Sequence, residues 1–126
     1  STKFKRMYKT VLESQQKAIQ YINSQLSIVN GKLLARGIDK TARDYIASNN
    51  YPNIPHSLGH GIGIEVHEAP HLSPNSKDII KPGMDFSVEP GIYIEGYGGI
   101  RIEDLFLVTK RGAELISNAR REIIEV

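Results

Sequence analysis

The chain is organised around the stretch Pro55-His-Ser-Leu-Gly-His-Gly-Ile-Gly-Ile-Glu-Val-His-Glu68. This stretch holds three of the four histidines, His56, His60 and His67. After Gly61, apolar residues alternate with glycine, glutamate and histidine, which predicts a strand with one apolar and one ionisable face. Imidazole suits both metal binding and proton transfer near neutral pH. The stretch therefore predicts a site for one of these two kinds of chemistry, built on a rigid sheet.

The composition is that of an ordinary globular protein and excludes several classes of function. The 126 residues fit one domain, with 40% hydrophobic and 24% charged residues. A net charge of +2 gives no reason to expect a nucleic-acid partner, and the absence of cysteine excludes disulfides and thiolate metal sites. No apolar run approaches the ~20 residues of a membrane span, and the first residues lack the apolar core of a secretory signal. We therefore expect no membrane association and a cytoplasmic location.

Two helices are predicted before the histidine stretch. Apolar residues recur at steps of three and four from Thr2 to Val29, which predicts one long amphipathic helix ending at Asn30-Gly31. Asp39 is a good N-cap for a second, shorter helix from Lys40 to Ser48. Both apolar stripes are interpreted as core contacts.

The rest of the chain has the alternation of strands. Met84 to Val88 alternates and is interrupted at Pro90-Gly91, and Ile100 to Thr109 is the clearest strand, with isoleucines on one face and Arg101 and Glu103 on the other. A last short strand is predicted over Ala113–Ile116, followed by a polar tail. The predicted fold class is α+β, with two helices followed by a curved antiparallel sheet of about five strands.

Three of the ionisable residues on predicted strands form a mixed imidazole and carboxylate set: His60, Glu89 and Glu103. Carboxylates on sheet faces that become buried are costly unless something compensates their charge, and a divalent cation would do so. Such a set suits Mn, Co, Zn or Fe. Ordinary interpretations stay open: a strand histidine is commonly just hydrogen-bonded, and Glu103 has Arg101 as an ion-pair partner.

Taken together, the motifs resemble a known family. The histidine stretch, Lys81-Pro-Gly-Met, Glu89-Pro-Gly-Ile-Tyr93 and Gly99-Ile-Arg-Ile-Glu-Asp104 resemble the pita-bread metallopeptidases. The last of these motifs favours the prolidase and aminopeptidase P branch over the methionine aminopeptidases. The resemblance runs from the first helix to Asn118 and implies cleavage of the bond between an N-terminal residue and a following proline.

The resemblance also implies roles for individual residues. His60, Glu89 and Glu103 would be ligands of two divalent metal ions, with Glu103 bridging them and Glu89 also shuttling a proton. His67 would stabilise the intermediate at the substrate carbonyl. His56 would line the pocket for a proline-containing peptide or dipeptide, and Arg101 would support the substrate side of the site.

The chain departs from the family pattern in one respect. The family has two further aspartate ligands, about ten residues apart, on strands that precede the first helix. The aspartates here occupy other places: Asp39, Asp44, Asp78, Asp85 and Asp104. Residues 1–126 are therefore expected to be a single partial domain, the C-terminal half of the catalytic domain, with an incomplete metal site and little activity alone. We expect it to pair with the absent N-terminal half or to associate with itself as a homodimer.

Two other functions remain as alternatives. The first is a non-catalytic pita-bread module that binds proteins or peptides. The second is a creatinase-like hydrolase that works without a metal, which would need other groups in place of the carboxylates. His60, Glu89 and Glu103 argue against the binding module, because a binding surface has no physical need for carboxylates at such positions. The metal-free hydrolase ranks last, because it needs different groups at these positions.

Overall fold

The computed structural model describes residues 1–28, 32–63 and 69–124. These residues form two helices and several strands. In chain order they are α1 (Thr2–Leu26), β1 (Leu33–Leu34), α2 (Ala35–Ser48), β2 (Gly59–His60), β3 (His71–Leu72), β4 (Ile79–Ile80), β5 (Asp85–Val88), β6 (Gly91–Ile94), β7 (Gly98–Thr109) and β8 (Gly112–Ile124). Neither described helix combines the length and the apolar character that crossing a membrane requires.

The main sheet is centred on β7. β5 and β6 pair with successive halves of one edge of β7, and β8 pairs with the other edge, all antiparallel. Val88 pairs with Asp104 and Gly91 pairs with Arg101, so the register is the same on both sides of the break between β5 and β6. Proline at position 90 has no N–H to donate to the ladder, which accounts for the break. The continuous register places Glu89 opposite Glu103.

β2 approaches the outer edge of β5 very closely. Gly61 forms an isolated antiparallel bridge with Phe86, and the Glu89 N–H donates to the Leu58 carbonyl at 2.7 Å. A Cβ at Gly59 would lie 1.8 Å from the Ser87 carbonyl oxygen, a distance that no side chain tolerates. Gly59 is therefore required for the contact that brings His60 to the sheet.

Helix α1 covers the apolar face of the sheet. The fully buried residues of this layer are Met7, Val11, Ala18 and Ile22 from α1 and Phe86, Val88, Ile92, Ile100 and Ile102 from the sheet. A buried polar contact crosses it: the side chain of Gln15 donates from Nε2 to the Val88 carbonyl at 3.0 Å. This bond holds the residue before Glu89.

The two predicted helices and antiparallel strands are confirmed. Helix α1 ends at Leu26, and the predicted end at Val29 to Gly31 lies outside the described residues. The two faces of β7 alternate as predicted, with Ile100 and Ile102 buried and Arg101 and Glu103 partly exposed. The main sheet has four described strands, and β1–β4 and β2–β3 form separate two-stranded ladders.

The predicted N-cap at Asp39 is wrong. Helix α2 begins at Ala35, its N-cap is Leu34, and Asp39 is fully buried inside the helix. The Asp39 carboxylate accepts a hydrogen bond from Arg43 Nε at 2.6 Å, one turn later. Because Asp39 pairs with Arg43 one turn later, it is stable inside the helix. The preference of aspartate for the N-cap position therefore did not set the start of α2.

The predicted polar tail after Ser117 is also wrong. β8 continues to Ile124 and pairs with β7 along its whole length, with register shifts near Glu103 and Phe106. A strand at a sheet edge needs only backbone pairing, so a polar sequence does not prevent it.

We expect Gln15→Ala to reduce the free energy of unfolding by about 1–3 kcal/mol, because the buried Val88 carbonyl loses its donor. Gln16→Ala is the matched control, since Gln16 is the adjacent, exposed glutamine of the same helix. Urea unfolding followed by circular dichroism measures both. Equal effects of the two substitutions would contradict the structural role of the Gln15 bond.

The buried Asp39 should make stability depend on pH. Burial raises the pKa of Asp39 above its ordinary 3.8, and Arg43 opposes this rise. The native state then binds the proton more tightly than the unfolded state, so the free energy of unfolding falls as pH rises from the ordinary pKa through the raised one. The stability of the native sequence minus that of Asp39→Asn should decrease over this interval in urea titrations at successive pH values. A flat or rising difference would be the contrary result.

Candidate metal centre

Three elements bring His60, Glu89 and Glu103 together. His60 ends β2, Glu89 lies in the break between β5 and β6, and Glu103 lies in β7. One ligand atom from each of these residues lies within 4.8 Å of the others. The register of the main sheet explains the two carboxylates, and the close approach of Gly59 to Ser87 explains the histidine.

The two carboxylates give this region a negative electrostatic potential, and it is partly shielded from solvent. Only 14% of the Glu89 side chain is exposed, and the His60 Nε2 atom lies 3.7 Å from Glu89 Oε2. Glu89 Oε2 is buried and has no hydrogen-bond partner among the described residues. Like charges directly across a strand pair destabilise a sheet, and a buried carboxylate oxygen without a partner adds to this cost.

The second nitrogen of His60 fixes which ring atom faces the carboxylates. His60 Nδ1 lies 2.9 Å from the Gly61 carbonyl oxygen, and the His60 N–H donates to Ser87 Oγ at 3.1 Å. A carbonyl can only accept, so Nδ1 carries the proton and the lone pair of neutral His60 is on Nε2. The ring is thereby held in the tautomer that ligates a metal through Nε2, with its other nitrogen bound to a backbone carbonyl.

The donor set fits a divalent cation. An imidazole nitrogen and two carboxylates suit Mn, Co, Zn or Fe better than a soft metal. The cation would neutralise the opposed carboxylates and supply the missing partner of Glu89 Oε2. Half of the His60 side chain is exposed, so the site is open to solvent on that side.

His56 and Tyr93 form a second group beside the carboxylates. Tyr93 Oη lies 2.7 Å from His56 Nε2, and His56 Nδ1 lies 2.8 Å from the Ser57 carbonyl oxygen. The carbonyl requires a proton on Nδ1, so the Tyr93 hydroxyl donates to Nε2 of the neutral ring. The rings meet edge to face, with centroids 5.5 Å apart.

Tyr93 keeps its proton because it is half-buried. Burial raises the pKa of Tyr93 above 10.0, while the adjacent Arg101 opposes the rise. Arg101 donates from Nη2 to Glu122 at 2.6 Å, so β7 and β8 together hold it. His56, Tyr93, Arg101 and Glu122 thus form one connected polar group.

Two glycines make room for the Tyr93 ring. A Cβ at Gly91 would lie 2.5 Å from the Tyr93 hydroxyl oxygen, and one at Gly99 would lie 2.8 Å from a ring carbon. The ring therefore lies flat over backbone that carries no side chains. These glycines explain how a tyrosine four residues after Glu89 can reach back to His56.

The structure brings together most of the predicted site residues. His60, Glu89 and Glu103 form the cluster, and His56 and Arg101 meet through Tyr93. His67 lies outside the described residues. His71 is exposed, pairs with His60 across the β2–β3 ladder, and has its Nδ1 atom 3.3 Å from Asp78 Oδ2.

The sequence interpretation missed Tyr93 and the pair Asp39–Arg43. Tyr93 lies at i+4 from Glu89, hence on the same face of an extended chain, which is a usable signal. Asp39 and Arg43 have the i,i+4 spacing of a helical ion pair, but nothing in the spacing indicates that the pair is buried. Asp104, on the opposite face from Glu103, is buried and binds Arg121, which raises the pKa of that guanidinium.

Comparison with known proteins identifies the family. The profile of metallopeptidase family M24 matches residues 1–110. The chain belongs to this family. M24 metallopeptidases use divalent metal ions, which agrees with the donor set of His60, Glu89 and Glu103.

Individual M24 proteins match nearly the whole chain. The Xaa-Pro dipeptidase of Pyrococcus horikoshii is 41% identical over 123 residues, which are 97% of this chain and 33% of that protein. The crystal structure of the prolidase from P. horikoshii OT3 matches 98% of this chain and 34% of its own, with 40% identity and a TM-score of 0.82. An X-Pro aminopeptidase from Thermotoga maritima matches 100% of this chain and 34% of its own, with 35% identity and a TM-score of 0.82. The chain spans about a third of their length and has the fold of the C-terminal half of the pita-bread domain.

We expect Glu89→Gln to separate metal binding from metal-free stability. Without metal, the neutral amide relieves the opposed charges, so the free energy of unfolding should be unchanged or higher. With excess Co²⁺, the native sequence should gain stability by mass action, and the variant should bind at least about tenfold more weakly. Calorimetric titration and thermal unfolding with and without Co²⁺ measure these effects.

Glu95→Gln is the matched control, because Glu95 is an exposed glutamate six residues after Glu89, in the turn that follows β6. It should leave both the Co²⁺ affinity and the metal-free stability unchanged. Equal loss of affinity in the two variants would mean that Co²⁺ binds by surface charge alone.

Proposed function

We propose that the whole protein is a metal-dependent peptidase that cleaves the bond between an N-terminal residue and a following proline. The observation that carries this proposal is the buried, unpartnered Glu89 Oε2 beside His60 and opposite Glu103. The relatives named Xaa-Pro dipeptidase, prolidase and X-Pro aminopeptidase support the substrate class.

His60, Glu89 and Glu103 would hold the metal, with His60 binding through Nε2. Glu89 and Glu103 would supply the carboxylate ligands for two divalent ions. When bound, the ions supply Lewis acidity that polarises a peptide carbonyl and lowers the pKa of water. The Nδ1–H bond of His60 to the Gly61 carbonyl keeps the ring turned toward the carboxylates.

Glu89 has a second role in this proposal, the transfer of a proton. Its Oε2 faces the His60 ring at 3.7 Å in a largely buried place, so few water molecules compete for it. The carboxylate would take a proton from the water that attacks the carbonyl carbon and give it to the amine nitrogen as the C–N bond breaks. The Glu89 N–H bond to the Leu58 carbonyl and the Gln15 bond to the Val88 carbonyl hold both polar atoms of the peptide group that precedes Glu89.

The substrate side of the site would be built by His56 and Tyr93. The Tyr93 hydroxyl donates a hydrogen bond to His56 Nε2, so the two rings are held in a fixed position relative to each other. Two aromatic rings fixed in this way offer flat faces that suit the proline ring of an Xaa-Pro substrate. Arg101 would hold Tyr93 in place, and His67 would contact the substrate carbonyl.

The site needs further ligands from outside this chain. Among the described residues, no aspartate joins the cluster of His60, Glu89 and Glu103. We infer that two aspartates of the N-terminal half complete it, so the isolated chain has little activity. Exposed Leu115, Ile116 and Ile123 on β8 support association with that half or with a second copy.

The alternative of a non-catalytic peptide-binding module is less well supported. A module has no use for two opposed carboxylates, one of which is buried without a partner and costs stability. A bound cation would offset this cost, whereas peptide binding would not.

A chimeric protein tests the proposed function. This chain would replace the matching segment of the P. horikoshii Xaa-Pro dipeptidase, which supplies the other two thirds. We expect the chimera with Mn²⁺ or Co²⁺ to hydrolyse Ala-Pro much faster than Ala-Ala, and the isolated chain to hydrolyse neither. Proline release measures both.

Glu103→Gln in the chimera should lower kcat/KM by about 10³-fold, since loss of metal-based stabilisation costs several kcal/mol. Glu114→Gln, an exposed glutamate of β8, is the control. A folded, metal-loaded chimera without activity on Ala-Pro would refute the peptidase proposal. Full turnover by the isolated chain would instead refute the incomplete site.

A further inference from the structure

The segment that carries His56 has little backbone support of its own. Residues 52–57 make no backbone–backbone hydrogen bond to any other residue that the structure describes. Regular hydrogen bonding stops at Tyr51, which is bound to α2, and resumes at Leu58, which is bound to Leu72. Ile54 is buried, but a single apolar contact does not fix the direction in which a neighbouring ring points. Something else must hold the position of His56.

The side chain of Arg43 supplies the missing hydrogen bonds. Its Nη1 donates to the Ile54 carbonyl at 2.7 Å and to Asn53 Oδ1 at 3.0 Å. Its Nη2 donates to the carbonyl of His56 itself at 2.7 Å. One guanidinium thus binds three successive parts of the unsupported segment, and one of them is the backbone of the residue whose ring contacts Tyr93.

Asp39 orients this guanidinium. It accepts from Arg43 Nε at 2.6 Å, which leaves both terminal nitrogens of the fork directed at the segment. The side chain of Asp39 is 1% exposed and that of Arg43 14% exposed, so water does not compete for these bonds. The other Asp39 oxygen makes no hydrogen bond of normal geometry. The nearby Leu58 N–H, which donates to the Leu72 carbonyl, still favours the charged form of Asp39 and so opposes the rise in its pKa.

The pair stands on a rigid base. Ile38, Ala42 and Ile46, which precede, separate and follow the two residues of the pair in α2, are fully buried. A Cβ at Gly37 would lie 2.5 Å from the Tyr21 hydroxyl oxygen, so α2 is packed tightly against α1 there. Movement of Arg43 relative to the core would disturb this packing.

We propose that Asp39 and Arg43 are positioning residues, which set the place of the His56 ring against Tyr93 and thereby shape the substrate wall of the site. The significance for substrate rests on the proposed peptidase function, whereas the placement of His56 does not. The pair touches neither the cluster of His60, Glu89 and Glu103 nor a reacting atom.

Arginine is needed at position 43 because of its shape. Its planar fork donates in several directions at once, whereas a lysine ammonium is a compact point charge on a flexible stem. Arg43→Lys can keep the ion pair with Asp39 but cannot also reach the carbonyls of Ile54 and His56. This variant therefore distinguishes two roles of Arg43: pairing with the charge of Asp39, and hydrogen bonding to the backbone of the segment that carries His56.

The test uses the purified metal-free chain with ¹⁵N-labelled histidine. Long-range ¹H–¹⁵N spectra report which ring nitrogen carries the proton, and His56→Gln identifies the His56 signal. In the native sequence we expect a single His56 tautomer with the proton on Nδ1. In Arg43→Lys and Asp39→Asn we expect averaging between tautomers, while His60 keeps its signal and the helical circular dichroism is unchanged.

The matched control is the exposed ion pair Lys40–Asp44, which has the same spacing on the same helix. Lys40→Ala should leave the His56 signal unchanged. The proposal is overturned if Arg43→Lys folds and retains the single His56 tautomer. It is equally overturned if Arg43→Lys loses its helical signal, because the pair would then support the fold as a whole.

The same samples keep this proposal separate from the peptidase function. Co²⁺ affinity in Arg43→Lys should stay within about twofold of the native value, since the variant leaves the three ligands in place. If the native chain bound no Co²⁺ but Arg43→Lys still released His56, the metal site would fail and the positioning role would stand.

Discussion

The antiparallel register between β7 and the broken strand β5–β6 is the constraint on which the site depends. It runs unchanged across Pro90 and sets Glu89 opposite Glu103. Two carboxylates in that relation repel each other, and a bound cation would relieve this unfavourable charge contact. The apolar contacts of α1 on the other face, with Gln15 bound to Val88, compensate for it and hold the strand in place. The candidate metal centre and the core thus lie on opposite faces of the same strands.

Much of this arrangement could be predicted from the sequence. The alternation in β7 separated Ile100 and Ile102 from Arg101 and Glu103, and period two is a strong signal when one face is buried. The set of His60, Glu89 and Glu103 was also predicted, and the structure brings their ligand atoms together. The family motifs carried this prediction, because residues from three separate elements cannot be grouped by local periodicity.

Other features depend on contacts that leave no local signal. Asp39 was predicted as an N-cap because aspartate favours that position, yet tertiary burial and Arg43 place it inside α2. β8 extends to Ile124 because β7 has an edge available for pairing, and this edge cannot be inferred from the polar sequence of β8 itself. The contact of Tyr93 with His56 depends on the bare backbone at Gly91 and Gly99. These are long-range effects that override residue preferences.

The contact at Gly59 affects how the descendants of such a protein diverge. An added side chain there meets backbone, the Ser87 carbonyl, so no compensating change in a neighbouring side chain can restore the fit. Glu89 and Glu103 are in the opposite situation, because their replacement by neutral residues removes a repulsion. A lineage that loses catalysis would therefore shed the carboxylates early and keep the glycine for as long as it folds. In such a lineage the glycine would indicate only the shared fold, whereas the presence of Glu89 and Glu103 would indicate selection for catalysis.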